Sequence, residues 1–229
     1  MHNIKQHPHR DNLHKLSLKN CSYIFWDWNG TLLNDVSACI GAMNKLLVHR
    51  NMPEILPGRY RQIFGFPVKD YYTQLGFDFS KDSFEDLSVE FMDGYHEMSG
   101  KNSLVDHAAE VLEYFKQQGI KQVILSAMEQ ENLFGQVKHY GMEKYFDEIL
   151  GIEDIFANGK THVGEKFIKE NDIGPGEVIY IGDTLHDYEV AMELNFHPLL
   201  YTNGHQTKER LEKTGAITIE SLKELLYIG

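Results

Sequence analysis

Cysteine is scarce in this chain, with two residues in 229, and proline is little commoner at six. Cys21 and Cys39 allow one pairing at most, and with no export signal beside them the expected state is reduced. Long apolar runs are missing: none approaches the roughly 18 residues that a membrane span requires. Residues 1–20 lack the apolar stretch of a signal peptide. Positive charge is in the minority, with 22 Lys and Arg against 34 Asp and Glu and a formal net charge of −12. That balance argues against nucleic acid and anionic membranes as partners. There is neither an internal repeat nor a low-complexity linker. These absences lead to the expectation of an acidic, soluble, cytoplasmic globular protein, and leave monomer and dimer equally open.

What is present is one core with room for an insertion, since 42% of the residues are hydrophobic. The run Ser22-Tyr23-Ile24-Phe25-Trp26 is short, apolar and rich in aromatics, and it stops at Asp27 before an Asn29-Gly30 turn. Such a run reads as a buried strand of a parallel sheet, with Asp27 at its carboxyl end. From residue 34 to about 50, Val36, Ile40, Met43 and Leu47 fall at helical spacing, and Asn34 or Asp35 is placed to cap that helix. Phe84, Leu87, Phe91, Tyr95 and Met98 make another helical run, and no buried strand is expected between 36 and 104. A helix is expected over 105–118, then strands at 122–125, 148–150, 178–181, 198–201 and 217–219, with helices between them. That alternation predicts βαβ units and a mostly parallel sheet. The domain reading is a leader over 1–20, a discontinuous α/β core over 21–35 and 105–229, and an all-helical insertion over 36–104. His2, His7, His9 and His14 belong to the leader and read as solvated side chains.

Four groups fall at or just after the carboxyl ends of expected strands: Asp27, Ser126, Lys160, and Asp183 with Asp187. Open α/β sheets bind ligands at that edge. Carboxylates gathered there repel unless a cation sits among them. Acids without a His/Cys set favour a hard ion, and Mg²⁺ with phosphate is the usual combination. The turn after Asp27 offers backbone N–H groups that suit an anion.

Together these residues resemble the haloacid dehalogenase superfamily, in its phosphoglycolate phosphatase-like branch with a helical cap. Its D-x-D-G-T motif appears as Asp27-Trp28-Asn29-Gly30-Thr31, its Ser/Thr motif as Ser126, its lysine as Lys160, and its G-D-x-x-x-D as Gly182 to Asp187. The resemblance covers nearly the whole chain after residue 21. It implies a Rossmann-like, mostly parallel α/β core with an inserted helical cap, and a phosphatase of small phosphorylated metabolites resembling phosphoglycolate. By the same resemblance Asp27 is the nucleophile that becomes an aspartyl-phosphate. Mg²⁺ is held by Asp27, the Asn29 main-chain carbonyl, Asp183 and Asp187. Gly30, Thr31, Ser126, Ala127 and Lys160 hold the phosphoryl oxygens.

The chain departs from the family at Asn29, where the family keeps the Asp that protonates the leaving group. An amide moves no proton at neutral pH, and that function is typically worth about 10²–10⁴ in rate. A slow phosphatase, one suited to good leaving groups, and a non-catalytic phosphate-binding relative are all consistent with the change. A phosphonoacetaldehyde hydrolase-like enzyme, which uses a cap lysine, is a further alternative. His186 and His162 are candidate substitute acids, read first as residues facing solvent or the insertion. Arg59, Arg61 and Lys69 are candidate contacts to a second anionic group, whereas Tyr71 and Tyr72 read as packing.

Overall fold

A computed structural model describes Leu18 and residues 21–153, 159–174 and 176–228. The leader histidines and Asn158 lie outside the described residues. The first strand, β1 (Tyr23–Trp26), is buried at all four positions. Its side chains alternate: Ile24 and Trp26 enter one apolar cluster, Tyr23 and Phe25 another. The parallel neighbours of β1 are β4 (Lys121–Glu129) and β6 (Val178–Gly182), with Phe25 level with Val123 and Tyr180. The sheet is completed by β5 (Glu148–Ile152), β7 (His197–Tyr201) and β8 (Ile217–Ile219), in the order β5-β4-β1-β6-β7-β8. Every pairing is parallel. Burial on both faces explains why the strands read as continuous apolar runs rather than alternating ones.

Helices cover both faces. On the Ile24/Trp26 side, α5 (Ala108–Gln117) supplies Val111, Leu112 and Phe115, and α6 (Gln130–His139) supplies Leu133 and Val137. On the other side, Phe167 of α7 (Thr161–Asn171) meets Val190 and Ala191 of α8 (Leu185–Glu193). Each such side chain, removed from water, contributes about 1.5–3 kcal/mol. A short α9 (Lys208–Glu212) follows β7.

The insertion carries α1 (Val36–His49), α2 (Pro57–Ile63), α3 (Val68–Leu75) and α4 (Phe84–Ser99). These helices build their own cluster around Met43, Leu46, Tyr72, Phe84 and Leu87. Gly94 lets α4 approach α1 closely, since a Cβ there would stand 3.4 Å from Ala42 Cα.

Three local expectations are corrected. First, two short strands flank the insertion, β2 (Leu33–Asn34) and β3 (Ser103–Leu104), paired antiparallel. At two residues each they are too short to leave a periodic signal. Second, the helix expected from residue 105 begins at Ala108, because Val105 N–H is donated to the Leu32 carbonyl instead. Third, Asp35 precedes α1 but makes no side-chain cap bond; its carboxylate is used elsewhere.

Candidate active site

The end of β1 delivers Asp27, whose N–H is donated to the Ile181 carbonyl at 2.8 Å. The end of β6 delivers Asp183, and the turn into α8 adds Asp187 through a capping box with Thr184. Carboxylate oxygens of Asp27, Asp183 and Asp187 lie within 4.8 Å of one another, and all three residues are buried. Lys160 stands immediately before α7. Its Nζ lies 2.5 Å from Asp27 Oδ1 and 2.6 Å from Asp187 Oδ1, with 1% of the residue exposed. Three acids facing one lysine leave a buried excess of negative charge.

Burial, with the Asp187 and Asp183 charges, pushes Asp27 up to about 8 against the pull of Lys160. Burial likewise lifts Asp183 to about 6, with His205 opposing and Asp187 adding. Burial also works against ionised Asp187, but the Lys160 charge together with hydrogen bonds from Lys160 and Thr184 holds that carboxyl below its usual range. Asp187 is also saturated: Oδ1 accepts from Lys160 and Tyr180, and Oδ2 from Asp183 N–H, Thr184 N–H and the Thr184 hydroxyl. A carboxylate offers about four lone-pair sites. Asp187, expected among metal ligands, is hydrogen-bonded to Lys160 and the turn while its carboxylate stays within reach of the other two acids. Asp27 and Asp183 keep capacity for a cation, and two oxygen donors with raised proton affinity suit a hard ion such as Mg²⁺.

The expected anion cradle is partly taken. Gly30 N–H is shared between the Leu33 carbonyl at 2.8 Å and Asp35 Oδ1 at 3.0 Å. The Thr31 hydroxyl is donated to Asp183 Oδ1 at 3.1 Å, and its N–H points to the Trp28 carbonyl. Gly30 and Thr31, expected among the phosphate-binding residues, thus turn these donors toward Asp35 and Asp183. Ser126 and Ala127 do line the cavity above Asp27. The Ser126 oxygen accepts from Met128 N–H, which leaves the hydroxyl proton to donate.

Beside Asn29 sits a network that the sequence did not announce. Asn29 Nδ2 donates to Asp35 Oδ2 at 2.7 Å, and Tyr95 donates its hydroxyl to the same oxygen at 2.9 Å. His205 Nε2 lies 3.2 Å from Asp35 Oδ1, and its Nδ1 is 2.8 Å from the Tyr60 hydroxyl. Burial alone would lower the His205 pKa, but the Asp35, Asp183 and Asp27 charges carry it up to about 9. The His205 backbone N–H is donated to Asp183 Oδ2 at 2.5 Å. This approach requires Gly204, where a Cβ would fall 2.1 Å from that same oxygen. The Asn203-Gly204 turn after β7 was the available signal: it too marks the carboxyl end of a strand.

The remaining candidates take these places, with His162 facing solvent and His186 facing the insertion as expected. Arg59 and Lys69 are exposed, and the Lys69 ammonium lies over the Phe79 ring at 5.1 Å. Arg61 donates to the Asn203 carbonyl at 3.4 Å. None of the three lines the cavity, whereas Tyr71 and Tyr72 do. His162 is exposed. His186 stacks on Phe66 with ring centroids 4.5 Å apart, and burial followed by the Lys160 charge lowers it to about 4. A histidine neutral at pH 7 has no proton to give as an acid. The cavity itself is about 160 Å³, with Asp27, Ser126 and Lys160 at its base.

Residues 24–200 match the model of the family described as haloacid dehalogenase-like hydrolase. Among solved structures, a haloacid dehalogenase-like hydrolase from Streptococcus pneumoniae shares 20% identity at TM-score 0.78, covering 90% of this chain and 97% of that one. A predicted phosphoglycolate phosphatase from Haemophilus somnus shares 16% at 0.74, covering 91% and 98%. Protein tyrosine kinase A of Mycobacterium tuberculosis shares 19% at 0.75, covering 90% and 97%. At these identities the likeness establishes the fold. No curated protein matches the chain.

Proposed function

Because this chain belongs to the haloacid dehalogenase-like hydrolases, we propose that it is a Mg²⁺-dependent phosphatase of a small phosphorylated metabolite. The observation that carries this reading is the buried Asp27 carboxyl, held 2.5 Å from Lys160 at the base of the cavity. Asp27 attacks phosphorus, the ester P–O bond breaks, and the leaving oxygen departs with the electron pair. Water then attacks the aspartyl-phosphate, releasing phosphate and restoring the carboxylate. Lys160 holds Asp27 ready and offsets charge on the transferring group. Ser126 donates to a phosphoryl oxygen. Asp27, Asp183 and the Asn29 main-chain carbonyl would hold Mg²⁺, which when bound neutralises carboxylate and phosphoryl charge. The helical insertion serves as the cap, excluding water and selecting the substrate. The free thiols of Cys21 and Cys39 support action in the cytoplasm.

Phosphate release from an ester panel, with and without Mg²⁺, tests the reading, using Asp27→Asn as the blank. Metal-dependent release, and a hydroxylamine-labile phosphoenzyme absent from the blank, are expected. Metal-independent activity surviving in Asp27→Asn would sink it. A second reading, a phosphate-binding relative without turnover, is favoured by the fixed Asn29 amide; tight phosphate binding with no release from any ester would establish it. The phosphonoacetaldehyde hydrolase-like alternative has lost its support, since no lysine of the insertion lines the cavity.

A further inference from the structure

The cavity joins two features that select the same kind of molecule. Its walls above the acids are Phe64, Phe66, Tyr71, Phe84, Phe91 and Tyr95, with methionines filling between them. Among the described residues, Lys160 and His205 are the cationic side chains on its lining, and no arginine is present there. Both are committed, Lys160 to Asp27 and Asp187, His205 to Asp35. A substrate carrying a second carboxylate therefore finds no free cation, and it meets Asp35 and Glu129 instead. An uncharged flat group finds aromatic faces and edges, which favour ring partners beyond simple area burial. The volume of about 160 Å³ is near that of an apolar cavity of about 150 Å³ known to hold benzene.

The second feature is Asn29. Its amide is fixed on Asp35 and supplies no proton, so the leaving oxygen must depart as an anion. A phenol ionises near 10, as tyrosine does, against about 15.7 for water. An aryl oxide leaves unprotonated far more readily than an alkoxide.

We propose that the substrate class is an aryl phosphomonoester, its ring in the aromatic cavity and its phosphoryl group on Asp27. The inference rests on the phosphatase reading above. Asp27 takes the phosphoryl group, the P–O(aryl) bond breaks, the aryl oxide leaves with the electron pair and takes a proton from bulk water, and water then hydrolyses the aspartyl-phosphate.

Four phosphates separate the two features. Phenyl phosphate has a ring and a good leaving group, and benzyl phosphate has a ring and a poor one. Acetyl phosphate has a good leaving group without a ring, and phosphoglycolate has neither. With Mg²⁺ and wild-type protein, kcat/KM for phenyl phosphate should exceed that for benzyl phosphate by about 100-fold. It should exceed acetyl phosphate by about tenfold, and phosphoglycolate by about 1,000-fold. Met92→Lys, which sets a cation in the wall, should cut the ratio of phenyl phosphate to acetyl phosphate kcat/KM by about tenfold. Benzyl phosphate equal to phenyl phosphate would overturn the leaving-group half. Acetyl phosphate or phosphoglycolate equal to phenyl phosphate would overturn the aromatic half while the phosphatase reading stands. Absence of an Asp27 phosphoenzyme with all four esters would remove both readings together.

Discussion

The base of the cavity and its walls obey opposite chemistry. The base comes from strand ends of the sheet and concentrates three buried acids, with carboxylate oxygens within 4.8 Å of one another, around one buried lysine. The walls come largely from the helical insertion and are mainly aromatic. Charge at the base is costly to bury and is tolerated because each group has a partner. Aromatic walls make every interaction at the base stronger by lowering the local dielectric. Under the proposed function, chemistry and selection fall to different stretches of sequence, and each can be perturbed alone.

Asp27→Asn breaks the base and should have the largest effect, reducing phosphate release by roughly 10⁴-fold or more, measured as initial rate with Mg²⁺. His205→Ala removes the partner of a buried carboxylate, and should cost about 3 kcal/mol in denaturant unfolding, as breaking a buried pair does. Asn29→Asp restores an acid 2.7 Å from Asp35. Two carboxyls that close share a proton, with one pKa strongly raised. The new acid should therefore be protonated at neutral pH and raise benzyl phosphate turnover by roughly tenfold. No gain would mean that another group already donates.

A pH experiment sharpens the same contrast. Asp27 and Asp183 titrate in the metal-free fold near 8 and 6, above the ordinary range of about 4. The native state then binds more protons than the unfolded state, so these groups cost stability as pH rises through that window. Mg²⁺ held by these acids, as proposed, would release those protons. The rise in Tm on adding Mg²⁺ should therefore be larger at pH 8 than at pH 6. His205 acts in the other direction: with its pKa raised to about 9, its contribution is complete below about 6.5 and lost as pH rises through 9. The smallest effect belongs to Arg59→Ala and Lys69→Ala, which should leave kcat/KM within about twofold, since neither side chain reaches the cavity. A larger loss would bring the exposed face of the insertion into substrate selection.

Much of this arrangement is legible in the sequence where chemistry follows local order. Asp27 and Asp183 sit where apolar runs end, and Lys160 and Asp187 follow at the start of the next helix, so the strand-end rule gathers them without knowledge of contacts. Asp35 is illegible by the same logic, because an acid before an apolar helical stripe reads as a cap. His205 meets it across 170 residues of sequence, a contact that no local pattern encodes. The cations of the insertion left two readings open for a related reason: composition shows that charge is present, and only packing shows which way it points. Gly30 and Thr31 were legible as a turn, but their donors turned inward to Asp35 and Asp183.

The small pairing of Leu33–Asn34 with Ser103–Leu104 has a consequence for how such a chain diversifies. The polypeptide leaves the sheet layer and returns to it at a single doorway, so everything between is a cassette whose ends already touch. Lengthening, shortening or exchanging that cassette changes the closure entropy only with the logarithm of its length. A new wall can be fitted over the same acids without re-registering a strand. Grafting the segment between Asn34 and Ser103 from a related hydrolase should carry over its substrate preference while Asp27 and Lys160 stay in place.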